Sequence, residues 1–318
     1  MIAAPLALVF NPAATRTGDS LRAEAARVLG PLGLRWTLAT RGRADAAALA
    51  RRAAAEGARL VVALGGDGTA GEVAGALAGG PVAAVALPGG NANVFARALG
   101  WPAEPVASLR ALAAALERPE ARPVRLGRLV TEGGERVFAV TAGVGLDAET
   151  VEWIEARPAA KHRLRYVGYG IGTAWVAARA PRGPRLRVSP DGAEPLAAAT
   201  LLAACGSPYT YLGRRPLDLV PGAAFDGRLA WTALLRVRPH EVTALLVRAA
   251  RGRPLPVGGP ALAGGLAERE VLVTAARPTA VQADGEALGR HAWVRILPGP
   301  ELLTIAPPGL KSSTARPT

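Results

Sequence analysis

Up to Glu117, short apolar runs take turns with alanine- and arginine-rich stretches. The runs read as strands at Leu6–Asn11, Leu34–Thr40, Leu60–Leu64 and Val82–Leu87. The stretches between them read as helices at Asp19–Leu29, Ala44–Glu56, Thr69–Ala78, Ala92–Leu99 and Val106–Glu117. Strands alternating with helices predict a parallel α/β sheet covered on both faces. Ligands of such sheets lie beyond the carboxyl ends of the strands. Asn11, Thr40, Gly65–Thr69 and Pro88–Asn93 fall at those ends.

After Arg122 the pattern changes to shorter, alternating segments separated by turn residues. Arg125–Val130 and Arg136–Ala142 flank EGGE, and Leu186–Ser189 and Leu196–Ala204 flank PDG. Further strands are expected at Leu229–Leu235, Val271–Thr274, Thr279–Ala283 and Trp293–Leu297, with helices at Ala148–Ala156, His162–Ala178 and His240–Arg251. This predicts a mainly antiparallel β-sandwich. The domain reading is therefore α/β over 1–122 and β-rich over 123–298. A final strand within 299–310 is free to return to the first domain, and a disordered tail follows over 311–318.

The chain has 318 residues, half of them apolar, so a full core is easily built. Its net charge of +13 attracts polyanions, including anionic lipid and nucleotide phosphates. The only lysines are Lys161 and Lys311, so this charge is almost all arginine, and genomic GC bias accounts for part of it. Cys205 is alone, which excludes an internal disulfide and fits a reducing cytoplasm. The start MIAAPLALVFNPAA lacks the basic region of a signal peptide. The longest uncharged apolar candidate, Pro195–Ser207, falls short of the roughly 18 residues of a membrane span. A cytoplasmic protein, soluble or peripheral on the inner face of the membrane, is expected.

Val61–Leu77, VVALGGDGTAGEVAGAL, carries the first chemical question. A glycine-rich turn after a strand suits phosphate, yet Asp67 should repel it; a metal ion would reconcile the two. GDGTAG formally matches G-x-G-x-x-G, but no acid follows about 20 positions later to hold a ribose, and a plain turn is the alternative. No G-x-x-x-x-G-K-[ST] and no protein-kinase signature occurs. His162, His240 and His291 with one cysteine form no zinc pattern.

Six motifs together resemble the diacylglycerol kinase catalytic-domain family, which includes soluble bacterial diacylglycerol kinases and sphingosine kinases. They are Asn11–Pro12 after the first strand, GGDGT (Gly65–Thr69), PGGNANVFARALG (Pro88–Gly100), GVGLDA (Gly143–Ala148), VPGAAFDGRL (Val220–Leu229) and ADGE (Ala283–Glu286). GGDGT alone is shared with NAD kinases; the later motifs decide. The departures are Asn91 for the family's threonine, Val94 for its aspartate, and Asp45–Ala46 for a His-Ala pair.

The resemblance implies a Rossmann-like nucleotide domain and an ATP- and Mg²⁺-dependent lipid kinase, with ATP between the two domains. It implies nucleotide contacts from Asn11, Pro12, Thr40, Gly65, Gly66, Asp67, Gly68, Thr69, Gly90, Asn91 and Asn93. Thr69 is expected to cap the helix after the turn. Asp67 would meet Mg²⁺, with a loop-capping aspartate as the alternative. Glu286 would accept the proton of the lipid hydroxyl, with Asp67 as rival; an acid on a plain turn is the alternative for Glu286. Asp226, with the carbonyls of Ala223 and Arg228, would hold a structural magnesium.

The acceptor is expected to be a lipid alcohol, diacylglycerol first. A sphingoid base, another lipid alcohol or NAD are the alternatives, as is a nucleotide- or lipid-binding regulator without turnover. Glu155–Asp191 has no acid between its ends and carries Arg157, Lys161, Arg163, Arg165, Arg179, Arg182, Arg185 and Arg187 around an apolar, aromatic stretch. Such a segment suits an anionic membrane surface, or else a core helix with a solvated basic end. No nucleic-acid partner is expected, since no such motif occurs; a homodimer is compatible with the sequence.

Overall fold

The computed structural model describes residues 4–42, 44–157, 172–181 and 183–309. The chain divides into two compact units, Met1–Pro123 with Leu302–Thr318, and Val124–Glu301.

The first unit is a four-stranded parallel sheet, β1 (Leu6–Phe10), β2 (Leu34–Ala39), β3 (Leu60–Gly65) and β4 (Ala83–Pro88), in the order β2-β1-β3-β4. The central strands β1 and β3 are buried at every residue, as strands covered on both faces must be; of the two edge strands β4 is also buried throughout, whereas β2 alternates. The helices are α1 (Asp19–Leu29), α2 (Asp45–Ala55), α3 (Asp67–Leu77), α4 (Val94–Ala98) and α5 (Pro105–Glu117). Glu104 caps α5, its carboxylate accepting from the Val106 and Ala107 N–H groups at 3.0 and 2.6 Å. The strand order reverses between β1 and β3, which places the ligand crevice of such a sheet at their carboxyl ends.

The second unit is antiparallel. Its strands are β5 (Ala121–Thr131), β6 (Gly134–Phe138), β7 (Thr141–Gly145), β8 (Leu186–Pro190), β9 (Leu196–Ala198), β10 (Thr200–Ala204), β13 (Leu229–Leu234), β14 (Leu262–Ala267), β15 (Val271–Ala283) and β16 (Glu286–Ile305). They pair in the order β14-β13-β10-β7-β15-β16-β5-β6, with β8 joining β15 to β9. A separate hairpin is formed by β11 (Thr210–Leu212) and β12 (Arg215–Leu217). The helices are α6 (Leu146–Glu155), a helical stretch over 172–179 (α7), and α8 (Pro239–Ala250).

Several boundaries differ from the sequence reading. The single strand expected over Arg136–Ala142 is broken into β6 and β7. At the break the Asp284 carboxylate accepts from the N–H groups of Ala139, Val140 and Thr141 at 2.5, 2.9 and 3.0 Å, in place of a neighbouring strand. Val271–Thr274 and Thr279–Ala283 are one strand, β15, that pairs β8 at one end and β7 at the other. β11, β12 and the glycine-rich β14 had no apolar alternation to announce them. Most of the helix expected at His162–Ala178 lies outside the described residues.

Candidate functional site

In the first unit, three turns meet at the carboxyl ends of β1, β3 and β4. The Asn11 side chain donates from Nδ2 to Thr69 Oγ1 at 3.1 Å and accepts from the Ala13 N–H at 3.0 Å. Thr17 turns its hydroxyl onto the Asn11 and Ala14 carbonyls. The Arg16 N–H donates to the Gly89 carbonyl at 2.9 Å, and the Gly89 N–H to the Gly65 carbonyl at 2.7 Å. Thr40, buried at the end of β2, donates its N–H to the Phe10 carbonyl at 2.8 Å. Pro12 is exposed in the first turn.

The glycines of GGDGT and PGG are explained first by each other. A Cβ on Gly90 would lie 2.6 Å from Gly66 Cα, and one on Gly65 would lie 2.7 Å from Thr69 Cβ. The two turns pack backbone to backbone. Asn93 sits at φ 49° and closes its turn on Gly90, accepting that N–H and donating to that carbonyl, both at 2.8 Å. Asn93 and the Gly90 amide thus shape the turn. Asn91 is exposed beside them.

α3 begins two residues earlier than the sequence suggested. Gly66 is its N-cap, without a side-chain cap, so Asp67, Gly68 and Thr69 form its first turn. Thr69 is therefore inside the helix and does not cap it; its hydroxyl accepts from Asn11 instead. First-turn amides with no side-chain cap are a ready anion site. Asp67 Oδ1 accepts from the Phe95 N–H at 3.2 Å, capping α4, which Val94 opens where the family has an acid. That is the capping alternative for Asp67. A Mg²⁺ needs one or two carboxylates besides phosphate oxygens and water, and Asp67 at this turn meets that requirement.

In the second unit, Asp284 and Gly285 form the two-residue turn between β15 and β16, at φ 48° and 80°. Burial pushes the Asp284 carboxyl up, against the three amides that favour its charge. Glu286 follows the turn, partly exposed, and accepts from Arg136 Nη2 at 2.6 Å. Asp226 accepts from the Arg228 N–H and Nε at 3.0 Å each and from Nη2 at 2.6 Å. Burial works against its charge, but the Arg228 bonds win and hold the carboxyl below the usual range. The Arg228 guanidinium thus takes Oδ2 and the Arg228 N–H takes Oδ1, so both Asp226 oxygens are engaged where the resemblance implied magnesium.

The sequence reading missed one polar cluster. Asp147 Oδ2 accepts from Tyr209 Oη and Gln282 Nε2, both at 2.7 Å, and Gln282 Nε2 lies 3.1 Å from Tyr209 Oη. Burial raises the Asp147 carboxyl above the usual range despite those two donors. GVGLDA was the only sequence signal, because Tyr209 and Gln282 lie far away in the chain. Asp147 also lines an apolar cavity of about 120 Å³, with Leu202, Leu234, Leu245 and Leu262 among its walls.

A parallel α/β unit with an uncapped helix N-terminus at its switch point has the arrangement in which such sheets receive anionic ligands. Residues 5–129 match the family model described as diacylglycerol kinase catalytic domain. A "Probable lipid kinase YegS-like" of Pseudomonas aeruginosa is 47% identical over 87 residues, 27% of each chain. Its Xanthomonas oryzae pv. oryzae namesake is 39% identical over 134 residues, 40% of this chain and 42% of that one. The matched stretches thus span less than half the length of these curated relatives. Two structures from Bacillus anthracis str. Sterne share the fold over 96% of this chain and 98% of theirs. The first aligns with TM-score 0.75 at 20% identity; the second, described as a diacylglycerol kinase, with 0.69 at 18%.

Proposed function

We propose that the protein is an ATP-dependent lipid kinase that transfers the γ-phosphoryl group to a lipid hydroxyl, with diacylglycerol as acceptor and phosphatidic acid as product. The observation that carries this is the leucine-walled cavity that Asp147 lines, in a chain whose residues 5–129 match the diacylglycerol kinase catalytic-domain model. Leucine walls suit an acyl chain.

On this reading the amides of Asp67, Gly68 and Thr69 hold the phosphates, with Asn91 alongside. Asp67 would hold a Mg²⁺, which when bound would supply charge neutralisation on the triphosphate. A new P–O bond forms at the lipid oxygen as the bond to the ADP oxygen breaks, and Glu286 takes the hydroxyl proton. Glu286 must then share itself between that proton and Arg136. The test is γ-labelled ATP with diacylglycerol, a sphingoid base and NAD in parallel. Label in an acidic, chloroform-soluble product from diacylglycerol is expected; label in the NAD product, or none anywhere, overturns the reading.

A further inference from the structure

The described residues expose four large apolar side chains, Trp175, Leu212, Val247 and Leu266, and all four belong to the second unit. Three of them repeat one pattern. Trp175 on α7 is followed four residues later by Arg179, whose guanidinium lies 3.3 Å from the centre of the indole ring. Val247 on α8 is followed four residues later by Arg251, also exposed. A spacing of four puts each pair on one helix face. Leu212 ends β11, and Arg214 and Arg215 follow it around the hairpin tip. The fourth, Leu266, lies apart, against Gly222.

The three elements are neighbours. The inward residues Val176, Ala177 and Ala180 share one apolar cluster with Val242, Leu245 and Leu246 of α8, so Trp175 and Arg179 fall on the other side of α7. β12 packs against α8. The same elements wall the apolar cavity: Thr173 from α7, Leu245 and Leu246 from α8, and Leu219 just after the hairpin. Charge is one-sided. Arg179, Arg214, Arg215, Arg248, Arg251 and Arg253 lie on these segments with two acids. Of those, Glu241 pairs with Arg236 and Arg238, and Asp218 is held by the Val220 N–H.

We infer that α7, α8 and the β11–β12 hairpin form a docking surface for an anionic bilayer. Tryptophan and aliphatic side chains enter the interfacial layer while the arginines beside them meet lipid phosphates. The inference rests on the lipid-kinase reading for its purpose: a lipid acceptor must leave a bilayer to enter the cavity, and these elements are the cavity's own walls. It differs from the expectation that Arg185 belongs to such a surface, since Arg185 is paired with Glu149 at 2.7 Å and is three-quarters buried.

The test is co-sedimentation of the full chain with phosphatidylcholine vesicles, with and without phosphatidylglycerol, together with quenching of Trp175 by brominated lipid. Binding should require phosphatidylglycerol, and quenching should disappear in W175F. R251Q/R253Q should weaken binding about 30-fold, at about 1 kcal/mol per arginine, with an unchanged melting temperature; L212S/V247S should also weaken it. Equal binding to neutral vesicles, or unaltered binding by both variants, overturns the inference. A wild-type dimer that L212S/V247S turns to monomer, or loss of duplex DNA binding in R251Q/R253Q without loss of vesicle binding, also overturns it and assigns the face to a second copy or to nucleic acid. Turnover in detergent micelles keeps the two readings apart. Micellar activity with variant-insensitive vesicle binding defeats the docking surface alone; vesicle docking without micellar lipid phosphorylation defeats the kinase reading alone.

Discussion

Gly143 and Asp147 stand so close that a Cβ on the glycine would lie 2.1 Å from Asp147 Oδ2. The first glycine of GVGLDA is therefore required by the aspartate of the same motif. Gly143→Ala should push Asp147 off Tyr209 and Gln282, leaving buried polar groups unpaired at about 1–3 kcal/mol each. A melting-temperature drop of several degrees in G143A checks this, as does a smaller drop in D147N, which can still accept from Tyr209.

Asp67 caps α4 and, on the proposed reading, would also meet Mg²⁺; substitution can separate the two. Asp67→Asn keeps an oxygen for the Phe95 N–H and removes the charge offered to Mg²⁺. Turnover should fall at least about a hundredfold while the melting temperature barely moves. Asp67→Ala also loses the cap of α4 and should cost about a further 1 kcal/mol of stability, measured by urea unfolding.

Glu286 is paired with Arg136 at a partly exposed position, where such pairs contribute about 0–1 kcal/mol. Glu286→Gln should leave stability and ATP affinity nearly unchanged and lower kcat by about 10²–10⁴ if this carboxylate takes the proton. Single-turnover kinetics with saturating ATP measures it. Retained turnover would move the proton acceptor to another group.

Asp191 provides the pH dependence. Burial opposes its charge, but N–H groups of Glu268, Glu270 and Arg269 outweigh it, so its carboxyl is held below the usual range. A depressed acid adds stability above its unfolded pKa and loses it as pH falls through the folded one. D191N, which tolerates the same left-handed turn, should be less stable than wild type at neutral pH. The gap should close as pH drops below the carboxylate range, read from melting curves across pH.

Legibility followed chain distance. The parallel unit was readable because β1, β3 and β4 are unbroken apolar runs and β2 alternates cleanly; the helix expected at Asp19–Leu29 is α1 to the residue. The GGDGT and PGG turns were visible as turns, but their mutual packing was not, because Gly66 meets Gly90 only in space. Asp147, Tyr209 and Gln282 come from three distant segments, and no spacing rule joins them. Asp284 breaks a strand that alternation had drawn as continuous. Asp226 reads as a cation ligand because its loop resembles a family metal site; that resemblance gives Arg228 only a carbonyl, and the bond from its side chain to Asp226 was not legible.

The return of the chain to the first unit sets an order for manufacture. Leu302 and Ile305 are fully buried there, yet they are translated after all of Val124–Glu301. At about 5–20 residues per second the nascent unit waits on the order of ten seconds or more on the ribosome before its last segment exists. A gene fragment ending at residue 123 would encode a product that never receives it. Excising this unit for study requires joining Leu302 and its successors back through a new linker.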